Sequence, residues 1–448
     1  MRLILAAAAA ALLAGTALAQ APAAPAPAPQ PKLTYIHAGA LLDRPGQRPR
    51  GQSTIIVRGD RIEAIRDGFV PPEAGATLVD LKDRFVLPGL IDMHVHLWGI
   101  GGDPLRSRLT ALGNDDADNM VVAIENARTT LDAGFTTVRD LGGNPRGIRA
   151  MRDGMARGAL TGPTIVNAGR MISITGGHGD GTNGVSEVFA DAIHEHQINT
   201  CDGADDCRRA VRAQIGLGAQ VIKFAATGGV LSNVAGGLGR AMTQEEMKAI
   251  CDTAHEFGRK VAAHSHAAEG TKAAILAGVD TIDHGTFLDD EAIRLFKQKG
   301  VWLVPTMIAP QTALAFARGG QLPANTIPKA EEAATAAIAS HRRAIASGVK
   351  IAFGTDTGVS KHGENAKEFA LMVGAGMTPM QAITAATVSA SQAIGREAQI
   401  GTIEPGKTAD IIAVTGDPLA DVRRLETVDF VMARGAVAKQ DGRRTLAE

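Results

Sequence analysis

Histidines recur in this sequence at spacings that suit a cation. His94 and His96 form the triplet HVH, and His264 and His266 repeat the spacing as HSH. In an extended strand, residues two apart face the same way, so both imidazoles of a pair can reach one ion. A single pair of this kind is weak evidence, because coincidence or a structural role explains it as well. Here His284 follows the apolar residues of TIDHG and Asp356 lies in FGTDTG, so metal-binding residue types fall at the ends of four separate apolar runs. The chemistry these types share is the binding of divalent cations.

Lys223 lies inside another apolar run, QVIKFAA, where an ammonium group is costly to bury and is rarely left unpaired. One reading pairs it with a neighbouring carboxylate. The other is that burial and nearby cations lower its pKa until the neutral amine combines with carbon dioxide. The resulting carbamate is an anionic, two-oxygen ligand that could bridge two metal ions.

The elements that must position these residues are strands alternating with helices. Eight strand-like runs are read: LIDMHVHL, FTTVRDLG, TIVNAGRMI, QVIKFAATG, KVAAHSHA, DTIDHGTF, VWLVPTM and KIAFGTDTG. Helix-like stretches such as DADNMVVAIENARTTLDAG and TQEEMKAICDTAHEFG separate them, and the charged runs DDADN and QEEMK read as helix starts and exposed faces. Eight βα units close a parallel barrel, and barrel enzymes place their chemistry at the C-terminal ends of the strands. The fold class is therefore α/β, a (β/α)8 TIM barrel over residues 89–400. The short alternating runs in 32–88 and 401–448 are expected to form one composite β-sandwich from the two chain ends.

Residues 1–19 read as a cleavable signal peptide, with Arg2, an alanine-rich apolar run and a small-x-small site ending at Ala19. Residues 20–31 are a Pro/Ala linker without packing capacity. The expected location is periplasmic or secreted, with no membrane attachment once the signal is removed. In that compartment Cys201 and Cys207, flanking DGADD, can form a small disulfide or stay free. Cys251, inside a helical pattern, reads as a small buried hydrophobe.

The 448 residues are 45% hydrophobic, with 46 Lys and Arg against 47 Asp and Glu, a globular composition. A net charge of -1 and an aromatic fraction of 3% offer neither an electrostatic footprint nor stacking platforms for nucleic acid.

Taken together, PGLIDMHVHL, QVIKFAATGG, KVAAHSHA, TIDHGT and FGTDTG resemble the amidohydrolase superfamily, and within it the imidazolonepropionase-related metal-dependent dipeptidases and carboxypeptidases, a prolidase-like group. The resemblance extends to ISITGGHGD, to HGENAKEFALMVGAGMTPMQAITAAT and to the tail IGTIEPGKTADIIAV. It implies two divalent metal ions, zinc being the ion this donor set favours. It implies that His94, His96, Lys223 as carbamate and Asp356 bind the more buried ion, and that Lys223, His264 and His284 bind the other. It implies a hydroxide bridging the two ions that attacks an amide carbonyl, with Asp356 taking its proton and passing it to the leaving amine.

Relatives place a Tyr or His near the carbonyl, and the only tyrosine here, Tyr35, falls in the terminal β-layer. His178, in GGHGDG, and His266 are the candidates for substrate contact, against the alternative that each is a supporting or surface histidine. The stretches from Ile174 to Cys207 and from Ile308 to Lys329 read as long loops, the usual lids and pocket walls. Arg170, Lys361 and His362 are candidates to hold a substrate carboxylate, although each taken singly reads as solvated surface.

The function so expected is hydrolysis of an amide or peptide bond in a small molecule or short peptide by an exported enzyme, possessing the form of a dipeptidase or carboxypeptidase. Alternatives are cyclic amides, lactams or N-acyl amino acids as substrates, a one-metal imidazolonepropionase-like or deaminase-like enzyme with Lys223 unmodified, and a binding protein on a degenerate barrel. The last is disfavoured because every ligand position of the family pattern is filled. A homo-oligomer is expected by resemblance alone.

Overall fold

The computed structural model describes residues 31–445 apart from 111–112, 195–196, 233 and 235. The signal peptide and all but the last residue of the linker lie outside the described residues.

The alternating runs at the start of the chain become β1 (Leu33–Leu41), β2 (Ser53–Arg58), β3 (Arg61–Asp67) and β4 (Thr77–Pro88). The eight runs read as barrel strands follow as β5 (Leu90–Val95), β6 (Phe135–Asp140), β7 (Thr164–Asn167), β8 (Val221–Ala225), β9 (Lys260–Ala267), β10 (Thr281–Phe287), β11 (Trp302–Val304) and β12 (Lys350–Ile351). Every residue of β5, β6 and β8 is buried, as expected of parallel strands covered on both faces. The chain ends with β13 (Ile411–Val414), β14 (Val428–Ala433), β15 (Ala436–Gln440) and β16 (Arg443–Arg444).

Helices separate the parallel strands. After β5 come α1 (Pro104–Thr110) and α2 (Asp116–Asp132), after β6 α3 (Pro145–Ala156), and after β7 α4 (Glu187–His194) and α5 (Ala204–Gly216). Then follow α6 (Gln244–Glu256), α7 (Ala268–Ala277) and α8 (Asp290–Lys299), each after one strand. Two helices, α9 (Ile308–Arg318) and α10 (Ile327–Ala346), follow β11, and α11 (Lys367–Gly374) follows β12. The charged runs do start helices: Asp115 and Asp118 close a capping box on α2, and Thr243 and Glu246 close one on α6.

The parallel strands lie in two sheets, β5-β6-β7 and β8 to β12 in sequence order. Backbone hydrogen bonds link the sheets at both seams. Ile172 N–H donates to the Lys223 carbonyl (2.8 Å) and Ala225 N–H to the Ile172 carbonyl (2.9 Å). At the other seam Met93 N–H donates to Phe353 O (2.9 Å), Asp356 N–H to His94 O (2.7 Å) and His96 N–H to Thr357 O (2.7 Å).

The two chain ends share one eight-stranded sheet, β16-β15-β14-β13-β4-β1-β2-β3, where a sandwich of two sheets is expected from sequence. The 12-residue β4 pairs with β1 in parallel and with β13 antiparallel, so the hydrogen-bond ladder runs unbroken from one end of the chain to the other. A bulge between Ala38 and Ala40 bends β1 against β4, and Gly39 is required there because a Cβ would lie 2.0 Å from the Lys82 carbonyl oxygen. Ile36, Val57, Val79, Ile411 and Phe430 form part of a separate apolar core under this sheet.

The segment from Ile308 to Lys329 is not a long loop. Its first half is α9, an alanine-rich helix whose Pro310 sits in the first turn, where no intrahelical N–H bond is lost.

Candidate metal centre

At the end of β5, His94 and His96 face the same way, as the strand period requires. Their Nε2 atoms are 3.3 Å apart, and Asp356 Oδ1, arriving after β12, is 3.3 Å from the first and 3.2 Å from the second. His96 Nδ1 donates to the Gly142 carbonyl at 3.0 Å, which leaves Nε2 as its bare nitrogen. The approach of Asp356 is fixed from below by Asp92. Its carboxylate accepts from His94 N–H (3.0 Å), Thr355 Oγ1 (2.7 Å) and Asn365 Nδ2 (2.8 Å), stapling β5 to the segment that carries Asp356. Burial pushes the Asp92 carboxyl up to about 6.

The second group comes from β9 and β10. One nitrogen each of His264, His266 and His284 lies within 4.8 Å of the others, as do the donor atoms of His94, His96 and Asp356. Thr286 Oγ1 engages His266 Nδ1 (2.7 Å) and Thr306 Oγ1 engages His284 Nδ1 (2.8 Å), so both rings present Nε2 to the cavity. The rings of His94 and His284 lie 5.1 Å apart and join the two groups. His284, Thr306 and Asp356 hold φ values of 74°, 49° and 58°, the left-handed region that non-glycine residues rarely adopt. Three such residues meeting at one place mark a functional site.

Burial sets the charge state of these imidazoles. It holds His94, His264 and His284 well below the usual histidine range and His266 down at about 3, so all four are neutral with a lone pair to offer. His96 is the exception: burial lowers it, but the hydrogen bond and charge of Asp356 more than offset this, and it is raised.

Lys223 is 1% exposed, and its Nζ donates to Asp283 Oδ2. The neighbouring carboxylate that one reading of the sequence requires is thus the residue just before His284. Asp283 Oδ1 accepts from Arg139 Nη2 at 2.8 Å, and Arg139 also donates to Met93 O and Thr281 Oγ1. Burial lowers the Lys223 amine despite the opposing charge of Asp283. Arg139 and Asp283, which are not among the residues singled out from sequence, carry the same signal as Lys223, a charge inside an apolar run.

A cavity of about 390 Å³ opens over these residues. His178 and His266 both line it. The His178 ring lies tilted with its centroid 4.2 Å from that of His264, and it packs so closely on Gly229 that a Cβ there would lie 2.3 Å from its Cε1. Trp98, Ile100, Met171, Leu231 and Pro310 make most of the wall apolar. Among the described residues, the candidate carboxylate anchors do not line it. Arg170 and Lys361 are exposed, and His362 is occupied by Thr130 Oγ1 (2.9 Å) and the His96 carbonyl (3.2 Å). His341, on α10, does line it, and no strand-end signal in the sequence marks it, since it lies on a helix face.

The loop from Ile174 to Cys207 contains α4 and is tied by a disulfide between Cys201 and Cys207, with a Cα–Cα distance of 4.9 Å. Cys251 is free and buried.

The residues fit divalent ions. Two sets of three donors, five imidazoles and the Asp356 carboxylate, converge on a single cavity, and in His96, His266 and His284 the Nδ1 atom is already committed elsewhere. The Nε2 atoms of His94 and His96 face each other and Asp356 Oδ1, an arrangement that a shared cation would satisfy.

The profile of the amidohydrolase family matches residues 85–438. Among curated proteins, ochratoxinase of Aspergillus niger is 32% identical over 411 residues, covering 88% of this chain and 83% of its own length. Imidazolonepropionase of Symbiobacterium thermophilum is 24% identical over 417 residues, covering 85% of this chain and 84% of its own. Among solved structures, a Xaa-Pro dipeptidase with methionine bound in its active site is 38% identical, with a TM-score of 0.86 over 91% of this chain and 100% of the other.

Proposed function

This chain belongs to the amidohydrolase family and is a hydrolase of carbon–nitrogen bonds, and from that premise we propose that it cleaves the amide or peptide bond of a small, largely apolar substrate at a two-metal site. The observation that carries the reading is the convergence of the two donor groups in one cavity, with His94 and His284 in ring contact between them. His94, His96 and Asp356 would hold one divalent ion and His264 and His284 the other, with Lys223, as a carbamate, reaching both; zinc suits these donors. Bound there, such ions supply Lewis acidity toward the carbonyl and activation of water at neutral pH.

The residues of the chain divide the remaining work. Asp356 Oδ1, beside both imidazoles of the HVH pair, accepts the proton of the attacking water and returns it to the departing amine. His178 and His266 face the cavity from opposite sequence segments and orient the carbonyl. Water is excluded by the Trp98, Ile100, Leu231 and Pro310 walls. We read the eight parallel strands, joined at both seams, as a closed (β/α)8 barrel with the terminal sheet as a second domain. The signal-like start of the sequence and the Cys201–Cys207 disulfide support an exported enzyme.

A dipeptidase or carboxypeptidase is the first substrate reading, supported by the likeness to a Xaa-Pro dipeptidase, and N-acyl amino acids and lactams are the second. The test is hydrolysis of a dipeptide and N-acyl amino acid library by the mature protein, reconstituted with zinc and bicarbonate, beside a Lys223→Ala control. Release of amino acids by the wild type alone supports the two-metal reading. No release by fully metallated protein overturns it in favour of cyclic-amide or deaminase chemistry.

A further inference from the structure

His341 is 1% exposed and belongs to α10, on a helix and not at the C-terminal end of a strand. Its Nε2 lies 2.6 Å from the His284 carbonyl oxygen. A carbonyl can only accept, so Nε2 carries the hydrogen and Nδ1 is left as a bare acceptor. That Nδ1 is buried and has no hydrogen-bond partner among the described residues. A buried acceptor without a partner costs about 1–3 kcal/mol, and native structures keep one where something else completes it.

The surroundings say what that something is. The His341 ring lines the same cavity as Ala337, one helical turn earlier, and α9 supplies Ala309, Pro310 and Ala313 to it. Small apolar residues on two facing helices leave room for an apolar substituent, and His341 is the polar side chain that α9 and α10 contribute to the cavity lining. We infer that the space between α9 and α10 is a substrate subsite for an apolar group accompanied by one N–H or O–H donor, and that His341 Nδ1 is the atom that accepts from it. The inference rests on the cavity being the substrate site of the proposed hydrolase. His341 then acts on specificity, since an analogue without the donor leaves Nδ1 unpaired in the complex.

The test uses matched substrate pairs that differ by one donor, amide N–H against N-methyl amide and tyrosine against O-methyltyrosine, with wild type, His341→Leu and His341→Gln. Metal content is measured for each. The wild type should prefer the donor-bearing member of at least one pair by about tenfold in kcat/KM, the effect of one buried hydrogen bond. His341→Leu should bring that ratio to within about twofold of unity. His341→Gln, which offers an amide N–H to the His284 carbonyl and an oxygen in place of the lone pair, should keep part of it. A wild-type ratio near unity in every pair, or a preference that survives in His341→Leu, overturns the inference. If His341→Leu loses metal, the Gln variant decides by the same ratio. If the metallated wild type hydrolyses no member, the amide-hydrolase reading fails, and calorimetric binding of the same pairs to wild type and His341→Gln decides the subsite by the same ratios.

Discussion

Asp283 accepts from Lys223 on one carboxylate oxygen and from Arg139 on the other, so one buried carboxylate on β10 ties β8 and β6 together beneath the histidines. Removing it leaves the Arg139 guanidinium, and the Lys223 amine wherever it is not carbamylated, without a partner where neither can reach water. Asp283→Ala should therefore cost about 3–5 kcal/mol in urea unfolding and lower the metal bound per chain. Adding Arg139→Met should recover part of the stability, because the uncompensated charge goes with it. A stable, fully metallated Asp283→Ala protein would show that the pair is ornamental.

Asp356 sits at a place where a carboxylate can both bind a cation and move a proton. Asp356→Asn preserves shape and one donor oxygen but loses the base. Turnover should fall about 10²–10⁴-fold with much of the metal retained, measured by steady-state kinetics beside elemental analysis. Full activity would remove Asp356 from proton transfer.

Stripping metal with a chelator should abolish hydrolysis and lower Tm, since ions bound only by the folded chain add to its stability. Zinc should restore both. Lys223→Ala should bind close to one ion where the wild type binds two; two ions in that variant would contradict a bridging carbamate.

The Cys201–Cys207 bond closes a loop with a sequence separation of 6, and Ser173, which exchanges backbone hydrogen bonds with Asn199 and Cys201, also receives Gly179 N–H on its hydroxyl. It thus supports the segment bearing His178. Replacing both cysteines by serine should cost about 2 kcal/mol by the loop-entropy argument and raise KM more than it lowers kcat. An unchanged KM would separate the disulfide from the site.

Glu368, on α11, is fully buried and accepts from the N–H groups of Met307 and Ile308 at 2.8 Å each, where α9 begins. Burial pushes its carboxyl from 4.5 up to about 8. With the folded value raised, its contribution to stability is full below about pH 4.5 and is lost as pH rises toward 8, on the order of 4–5 kcal/mol across the window. Glu368→Gln mimics the protonated form. Its Tm should fall short of the wild type most at pH 5, and the gap should narrow or reverse by pH 9. A gap independent of pH would show that Glu368 does not titrate in this range.

Much of the site was legible in the chain because strand geometry is local. His94, His96, His264, His284 and Asp356 were readable because each ends an apolar run, and parallel strands bring such ends together. Lys223 was readable because a charge inside QVIKFAA has no local excuse. Arg139 in FTTVRD and Asp283 in TIDHG carried the same signal, but their meaning lies in pairing with each other, and nothing local ties β6 to β10. α9 has no local start signal in the sequence, since its short alanine-rich run lacks a polar cap; Met307 precedes it without a side-chain cap bond, and the cap comes from Glu368, 60 residues on.

The sequence by itself determined which side-chain types could bind metal, the order of the eight parallel strands and the pairing of the two chain ends, because strand period and βα alternation are properties of neighbouring residues. Only the tertiary structure decided which nitrogen of His96, His266 and His284 is free, since Gly142, Thr286 and Thr306 commit the other one from distant segments. It also decided that the expected carboxylate anchors lie away from the cavity and that His341 lies in it. Those outcomes depend on where burial leaves a polar atom without water, and burial is set by the whole packed chain.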